Sequence, residues 1–298
     1  MKKEMLAVAL TLSLFGAGMA LAAGDMDVKT DNTLNGQVRA ENNSTVDVGG
    51  VTAGKDFAGK LKTDMKNQVG GNVQATDAST VKMGSVKAPL SSGADLTVQG
   101  NNKVGGNITA QQGGVANIGS VDADKNTQGK FGVTSNNQVT GNVNAQQGGN
   151  VNVGGVDLTG TKANSATIST DNTVGGNASA TGPGSVVSIG SVNMKGAQLG
   201  TANVNSKNTT KSVTATNGGV AEIGAVNLQG AKVQNANIST QNQLGSNVAV
   251  DGAGSKFSMG TVDMSGANVN TLKVNTKNTV NGTVTVKGGS SANIGSVR

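Results

Sequence analysis

The segment from residue 137 to residue 171 reads NQVTGNVNAQQGGNVNVGGVDLTGTKANSATISTD, and its pattern recurs along most of the chain. The leading asparagine recurs at intervals of 34 to 36 residues, at Asn32, Asn67, Asn102, Asn137, Asn172, Asn208, Asn242 and Asn278. A glycine column follows it, at Gly49, Gly84, Gly119, Gly154, Gly190, Gly224, Gly260 and Gly295. A fixed period of this length is typical of repeat architectures, so the chain consists of eight repeats of about 35 residues.

Within each repeat, apolar and polar residues alternate. Val143 and Ala145 form one such stretch, and Val151 and Val153 form another. A period of two predicts β-strands with one face buried. Because one repeat has too little apolar surface for a core of its own, we expect the copies to stack. The sequence therefore predicts an all-β β-solenoid, or parallel β-helix.

The alternation shifts at Gly154-Gly155, where a bend would let Val153 and Val156 both face inward. The two halves of a repeat have similar apolar spacing, which favours two coils per repeat. Sixteen coils would make a rod of about 75 Å, and eight coils a rod of about half that length.

The asparagine column has two interpretations. One is an amide ladder, in which each side chain bonds its copy one coil away, as in stacked cross-β strands. The other is a turn position where asparagine tolerates left-handed backbone. In either case we predict that the asparagine and glycine columns have a structural role.

Composition argues against most enzymes. The chain has no Cys and no His, and only 4 of its 298 residues are aromatic. Thiolate chemistry and the commonest general base and metal ligand are therefore missing. The few carboxylates, among them Asp122, Asp124, Asp157 and Asp263, fall singly on outward positions, as expected for solvated surface. We predict no catalytic site, no cofactor and no metal site.

The amino terminus resembles a secretory leader. Lys2 and Lys3 precede an apolar run from Met5 to Phe15, and small residues follow as far as Ala22. This layout predicts a bacterial signal peptide over residues 1–22, cleaved after Ala22 or Ala23. Residues 23–298 would form a single solenoid domain. We expect no membrane span, export by a dedicated secretion machinery, and a location outside the cell or at its surface, after periplasmic transit in a Gram-negative cell.

Two repeat motifs carry a resemblance to known proteins. The patterns Asn-x-Val-x-Gly-Asn-Val-x-Ala and Val-x-Ile-Gly-Ser-Val resemble the β-solenoid repeats of filamentous-haemagglutinin-type bacterial adhesins. The richness in Gly, Asn and Gln is similar to that of curlin-like functional amyloid subunits. The resemblance concerns architecture and implies a role in an extracellular fibre, a biofilm matrix or adhesion.

The ends of the repeat array suggest self-assembly. Met26 and Val28 match the last strand of a repeat, and Ile294 and Val297 lie in an interrupted one. We expect these uncapped ends to stack head to tail into a homopolymer, because a heterologous contact that does not close produces a filament. The alternative is a monomeric adhesin or binding module that presents a polar Asn/Thr face to polysaccharide, a host surface or ice.

Two surface features bear on partners. A loose basic cluster is formed by Lys55, Lys60, Lys62 and Lys66. It would either attract anionic polysaccharide or extracellular DNA, or serve only to keep the protein soluble. Hydroxyl residues before the asparagine column, such as Thr170 and Thr240, would build the flat face of the binding-module alternative.

Overall fold

A computed structural model describes residues 10–13, 25–53, 59–88, 94–123 and 129–298. These residues form 31 strands in three parallel sheets and contain no helix. The chain is an all-β parallel β-solenoid, as the residue pattern predicts. Accordingly, no helix in these ranges could cross a membrane.

The strands follow one another coil by coil. In chain order they are β1 (Leu10–Ser13); β2 (Met26–Leu34), β3 (Val38–Ala40), β4 (Thr45–Thr52); β5 (Lys60–Val69), β6 (Val73–Ala75), β7 (Thr80–Met83), β8 (Val86–Lys87); β9 (Asp95–Val104), β10 (Ile108–Gln111), β11 (Val115–Ile118), β12 (Val121–Asp122); β13 (Lys130–Val139), β14 (Val143–Gln146), β15 (Asn150–Val153), β16 (Val156–Asp157); β17 (Lys162–Val174), β18 (Ala178–Thr181), β19 (Val186–Ile189), β20 (Val192–Asn193); β21 (Gln198–Thr210), β22 (Val213–Thr216), β23 (Val220–Ile223), β24 (Val226–Asn227); β25 (Lys232–Leu244), β26 (Val248–Asp251), β27 (Lys256–Met259), β28 (Val262–Asp263); β29 (Asn268–Val280), β30 (Val284–Lys287) and β31 (Ser291–Ile294).

The register shows one coil per repeat, so the prediction of two coils is wrong. Asn137 on β13 pairs directly with Asn102 and Asn172, one repeat away on each side. Strands β14 and β15, from the two halves of one repeat, belong to different sheets and contribute to the same apolar cluster. The halves resemble each other because both line one core. The long strands form an eight-stranded sheet, which spans about 34 Å along the axis.

The interior contains two apolar clusters that run the length of the rod. On β13, Val133 belongs to the first cluster and Val139 to the second, with Asn137 between them. Across the coil, Val153 belongs to the second cluster and Val156 to the first. The glycine column lies between these two valines. The asparagine and glycine columns therefore occupy the boundary between two narrow cores.

The bend predicted at Gly154-Gly155 is confirmed. Gly154 has a φ of +67°, β15 ends at Val153, and β16 begins at Val156. Both valines are buried, so the bend restores the inward direction after the shift in alternation. A left-handed backbone at this point favours glycine.

Candidate functional site: the amide ladder and the coil ends

A continuous ladder joins the asparagine side chains of all eight repeats. Each Nδ2 donates to the Oδ1 of the next copy at 2.8 to 3.0 Å, from Asn32 to Asn278. The column has no left-handed backbone, so the turn interpretation is wrong and the ladder interpretation is correct. Bonding along the column satisfies amides that are buried in the covered coils.

The glycine column exists because the ladder fills the space beside it. A Cβ on Gly154 would overlap Oδ1 of Asn172 and lie 2.7 Å from Nδ2 of Asn137. The same relation holds at the other glycines that have a ladder amide on each side, from Gly49 to Gly260. Each glycine therefore contacts the hydrogen bond between two successive asparagines. The two strongest sequence columns form one structural unit.

The hydroxyl column that precedes the ladder is interior. Thr170, Ser206 and Thr240 are each at most 2% exposed. Thr170 Oγ1 donates to Ser206 Oγ at 3.1 Å, and Ser206 Oγ donates to the carbonyl of Gly190 at 2.9 Å. The outward positions carry other residues, such as Ser169. In the covered coils the asparagine and hydroxyl columns therefore lie inside the rod and do not form an outer face.

The C-terminal coil, residues 268–298, leaves core positions open. Its exposed large apolar residues are Leu272 at 39%, Val284 at 40%, Val286 at 44%, Ile294 at 41% and Val297 at 47%. Their register partners one coil earlier are at most 3% exposed: Ala236, Val248, Val250, Met259 and Val262. These columns are buried wherever another coil lies on top. The predicted end residues Ile294 and Val297 belong to this open surface.

The N-terminal coil is partly covered in the full chain. Val28 is 5% exposed and Met26 is partly buried. Strand β1, within the predicted leader, pairs in parallel with β4, with Leu10 opposite Val48 and Leu12 opposite Val51. The rest of residues 1–22, and the predicted cleavage point, lie outside the described residues. Removing the leader would therefore free an edge of β4.

The ladder has a direction, and its two ends are complementary. Among the described residues, Asn278 Nδ2 donates to no acceptor and Asn32 Oδ1 accepts from no donor. All other ladder amides both donate and accept along the column. One end of the rod thus presents a donor and the other an acceptor in the same column.

The basic cluster is only loosely assembled. Lys60 Nζ lies 3.7 Å from Asp25 Oδ2, and Lys62 Nζ lies 4.0 Å from Asp27 Oδ2. Lys66 is on the same outward face of β5, and Lys55 lies outside the described residues. The exposed ion pairs offset part of the positive charge of this face.

The outward carboxylates are not as isolated as their sequence positions indicate. Asp122 and Asp157 are register partners on adjacent coils, and Asp263 lies further along the same column. This column borders a furrow that the sequence did not reveal. In the part of the chain that the structure describes, no three acidic residues come together as a metal-binding group, and Asp124 lies outside it.

The architecture defines a class, the parallel β-solenoids with an internal amide ladder. No protein-family model, no curated protein and no solved structure matches the chain. The predicted resemblance therefore holds for the solenoid repeat architecture, and no family is assigned.

Proposed function

We propose that the protein is a secreted structural subunit that stacks head to tail into an extracellular fibre or biofilm matrix. The observation that carries this proposal is the open C-terminal coil, whose core columns are exposed only because no further coil covers them. Apolar positions that are buried in every covered coil favour another coil of the same kind as their cover.

The two ends match column by column. The column of Leu272 begins at Met26, that of Val284 at Val38, and those of Ile294 and Val297 at Val48 and Val51. Each open apolar position would therefore meet an apolar residue of a second copy in register. The same stacking would let Asn278 Nδ2 donate to Asn32 Oδ1 of the next copy and continue the ladder.

Leader cleavage fits this scheme. In the full chain, β1 occupies the edge of β4 that a second copy would need. Signal peptidase would remove β1 on export, so that the N-terminal edge becomes available only outside the inner membrane. A heterologous contact of this type repeats without closing and extends a filament.

The test is to purify residues 23–298 and follow assembly by negative-stain microscopy and fibre diffraction. We expect unbranched filaments about as wide as one solenoid, with a reflection near 4.8 Å along the axis. Val286→Asp places a charge on the open coil and should abolish the filaments while leaving the circular dichroism spectrum unchanged.

The matched control is Thr167→Asp, an exposed outward position in the middle of the rod. This variant adds the same charge and should assemble like the parent protein. Monomers that persist over a wide range of concentration and salt would contradict the proposal. Filaments that form equally well from Val286→Asp would contradict the proposed interface.

A further inference from the structure

A furrow of about 580 Å³ runs along the outer surface of the rod, from the first coil to the last. We call it the axial groove. One wall is the outward column that contains Asn152 and Glu222, and the other is the column of Asp157. The floor is the column that contains Ser120, Gly155 and Ser191. These columns repeat once per coil, so the groove presents similar groups about every 4.8 Å.

The groove is a consequence of the glycine bend. The left-handed glycine before each floor residue turns the chain between strands such as β15 and β16, which leaves a concave outer surface. Floor residues are small wherever the bend occurs: Gly155, Ser191 and Ala225 are successive examples. Small side chains at the bend keep the furrow open along several coils.

Several polar groups in the groove have no partner. Ser120 Oγ and Ser191 Oγ make no hydrogen bond and are buried just beneath the floor. Glu222 makes no hydrogen bond or ion pair with another described residue, and its register neighbours are the short Ser188 and Ser258. The unpaired, partly buried Glu222 carboxyl in the groove wall therefore favours a ligand that supplies hydrogen bonds.

Charge narrows the class of ligand. The chain carries a net charge of +6, but the middle of the groove contains Asp122, Asp157 and Glu222 and no basic residue. Lysines line it only near the N-terminal end, and at the other end Arg298 lies 3.6 Å from Asp263. A polyanion would be repelled along the central coils.

We propose that the axial groove binds a neutral, linear polysaccharide that lies along the rod axis. A chain of hydroxyl-bearing sugars supplies both donors and acceptors, which suits a groove lined by carboxylate, amide and hydroxyl residues. Its extended form repeats a similar unit at a spacing close to that of the coils. The central coils of the groove lie away from the stacking ends, so the inference does not depend on the proposed fibre.

Gly155 allows a precise steric test. Its backbone is not left-handed, and an added Cβ would come no closer than 3.8 Å to its neighbours. Gly155→Leu should fold normally and obstruct the floor. Gly155→Ser is the matched control, because serine occupies the same column at Ser120 and Ser191 and preserves the furrow.

Binding can be measured by titration calorimetry with cellohexaose, chitohexaose and maltohexaose as neutral probes and an oligogalacturonate as the acidic one. We expect at least one neutral probe to bind, Gly155→Leu to bind it about tenfold more weakly or not at all, and Gly155→Ser to bind it normally. Binding that Gly155→Leu does not change, a preference for oligogalacturonate, or no binding of any neutral probe would each overturn the inference. Filament formation by Gly155→Leu, scored separately, distinguishes this failure from failure of the proposed function.

Discussion

The coil from residue 232 to residue 267 and the open coil from residue 268 to residue 298 share one repeat pattern but differ in their cover. Val248 is buried in the first coil, and its register partner Val284 is exposed in the second. Asn242 both accepts and donates along the ladder, whereas Asn278 only accepts. The same residue types therefore produce a satisfied interior in one coil and an unsatisfied surface in the next.

If the open coil is the stacking surface, this difference provides an interaction surface without a specialised sequence. The proposed contact needs no distinct binding motif, because positions that build the core in a covered coil are exposed in the open coil. Paired substitutions at equivalent covered and open positions can separate the contribution of a residue to folding from its contribution to assembly.

The largest expected effect is at the glycine column. Gly154→Ala forces a side chain into left-handed backbone and against the amides of Asn137 and Asn172, which should cost about 4 kcal/mol of unfolding free energy. Gly295→Ala has the same backbone strain but no ladder amide beyond it, and should cost about 1 kcal/mol. Denaturant unfolding of the two variants measures the difference.

Gly295→Ala also tests assembly. In the proposed filament, Asn32 of the next copy would lie against residue 295, as Asn172 lies against Gly154. This variant should therefore fold and fail to polymerise. Equal destabilisation by the two glycine substitutions would show that the ladder does not determine the column.

The next effect concerns the direction of the ladder. Asn172→Asp keeps the acceptor for Asn137 but places a buried carboxylate oxygen against Oδ1 of Asn208, which should cost about 3 kcal/mol. Asn278→Asp keeps the hydrogen bond that it accepts from Asn242, and the replaced amide donates no bond within the chain. The expected loss of unfolding free energy is therefore only about 0.5 kcal/mol. Thermal unfolding compares the pair. A filament that forms normally from Asn278→Asp would argue against continuation of the ladder between copies.

A smaller effect is expected for apolar truncation. Val248→Ala removes buried methyl groups and should cost about 2 kcal/mol. Val284→Ala, at a partly exposed position, should cost about 1 kcal/mol or less in the monomer. If the open coil is the stacking surface, Val284→Ala should raise the critical concentration for filaments. An unchanged critical concentration would exclude Val284 from the contact.

The smallest expected effect is the pH dependence of Glu222. Burial raises the pKa of the Glu222 carboxyl above 4.5, so the folded chain holds a proton more tightly than the unfolded chain does. The ionised carboxylate therefore opposes folding at neutral pH, and this cost is relieved as the pH falls through the raised pKa towards 4.5. Glu222→Gln should raise the unfolding free energy at pH 7, and this stabilisation should decrease as the pH is lowered. A pH-independent gain would contradict this origin.

The sequence predicted the strands, their inward faces and the stacking of repeats, because period-two alternation and a 35-residue spacing leave few other solutions. It also identified the asparagine and glycine columns, without establishing that they touch. The coil count was wrong because the sequence around Val143 and around Val151 has the same alternating pattern. Only the strand pairing shows that the two stretches are opposite sides of one coil, since each pairs with its own copy one repeat away. The inward direction of Thr170 was missed since the column is irregular, containing Met65 and Gly100 as well.

The amino-acid sequence by itself determined a β-solenoid with one asparagine and one glycine per repeat, because these properties depend on local periodicity and recurrence. Only the tertiary structure decided that Asn172 fills the space beside Gly154, that the small residue Gly155 lies in the floor of an axial groove, and that the last coil exposes Val284. These properties depend on which strands face one another across the coil, and residues far apart along the chain meet only when the coil closes.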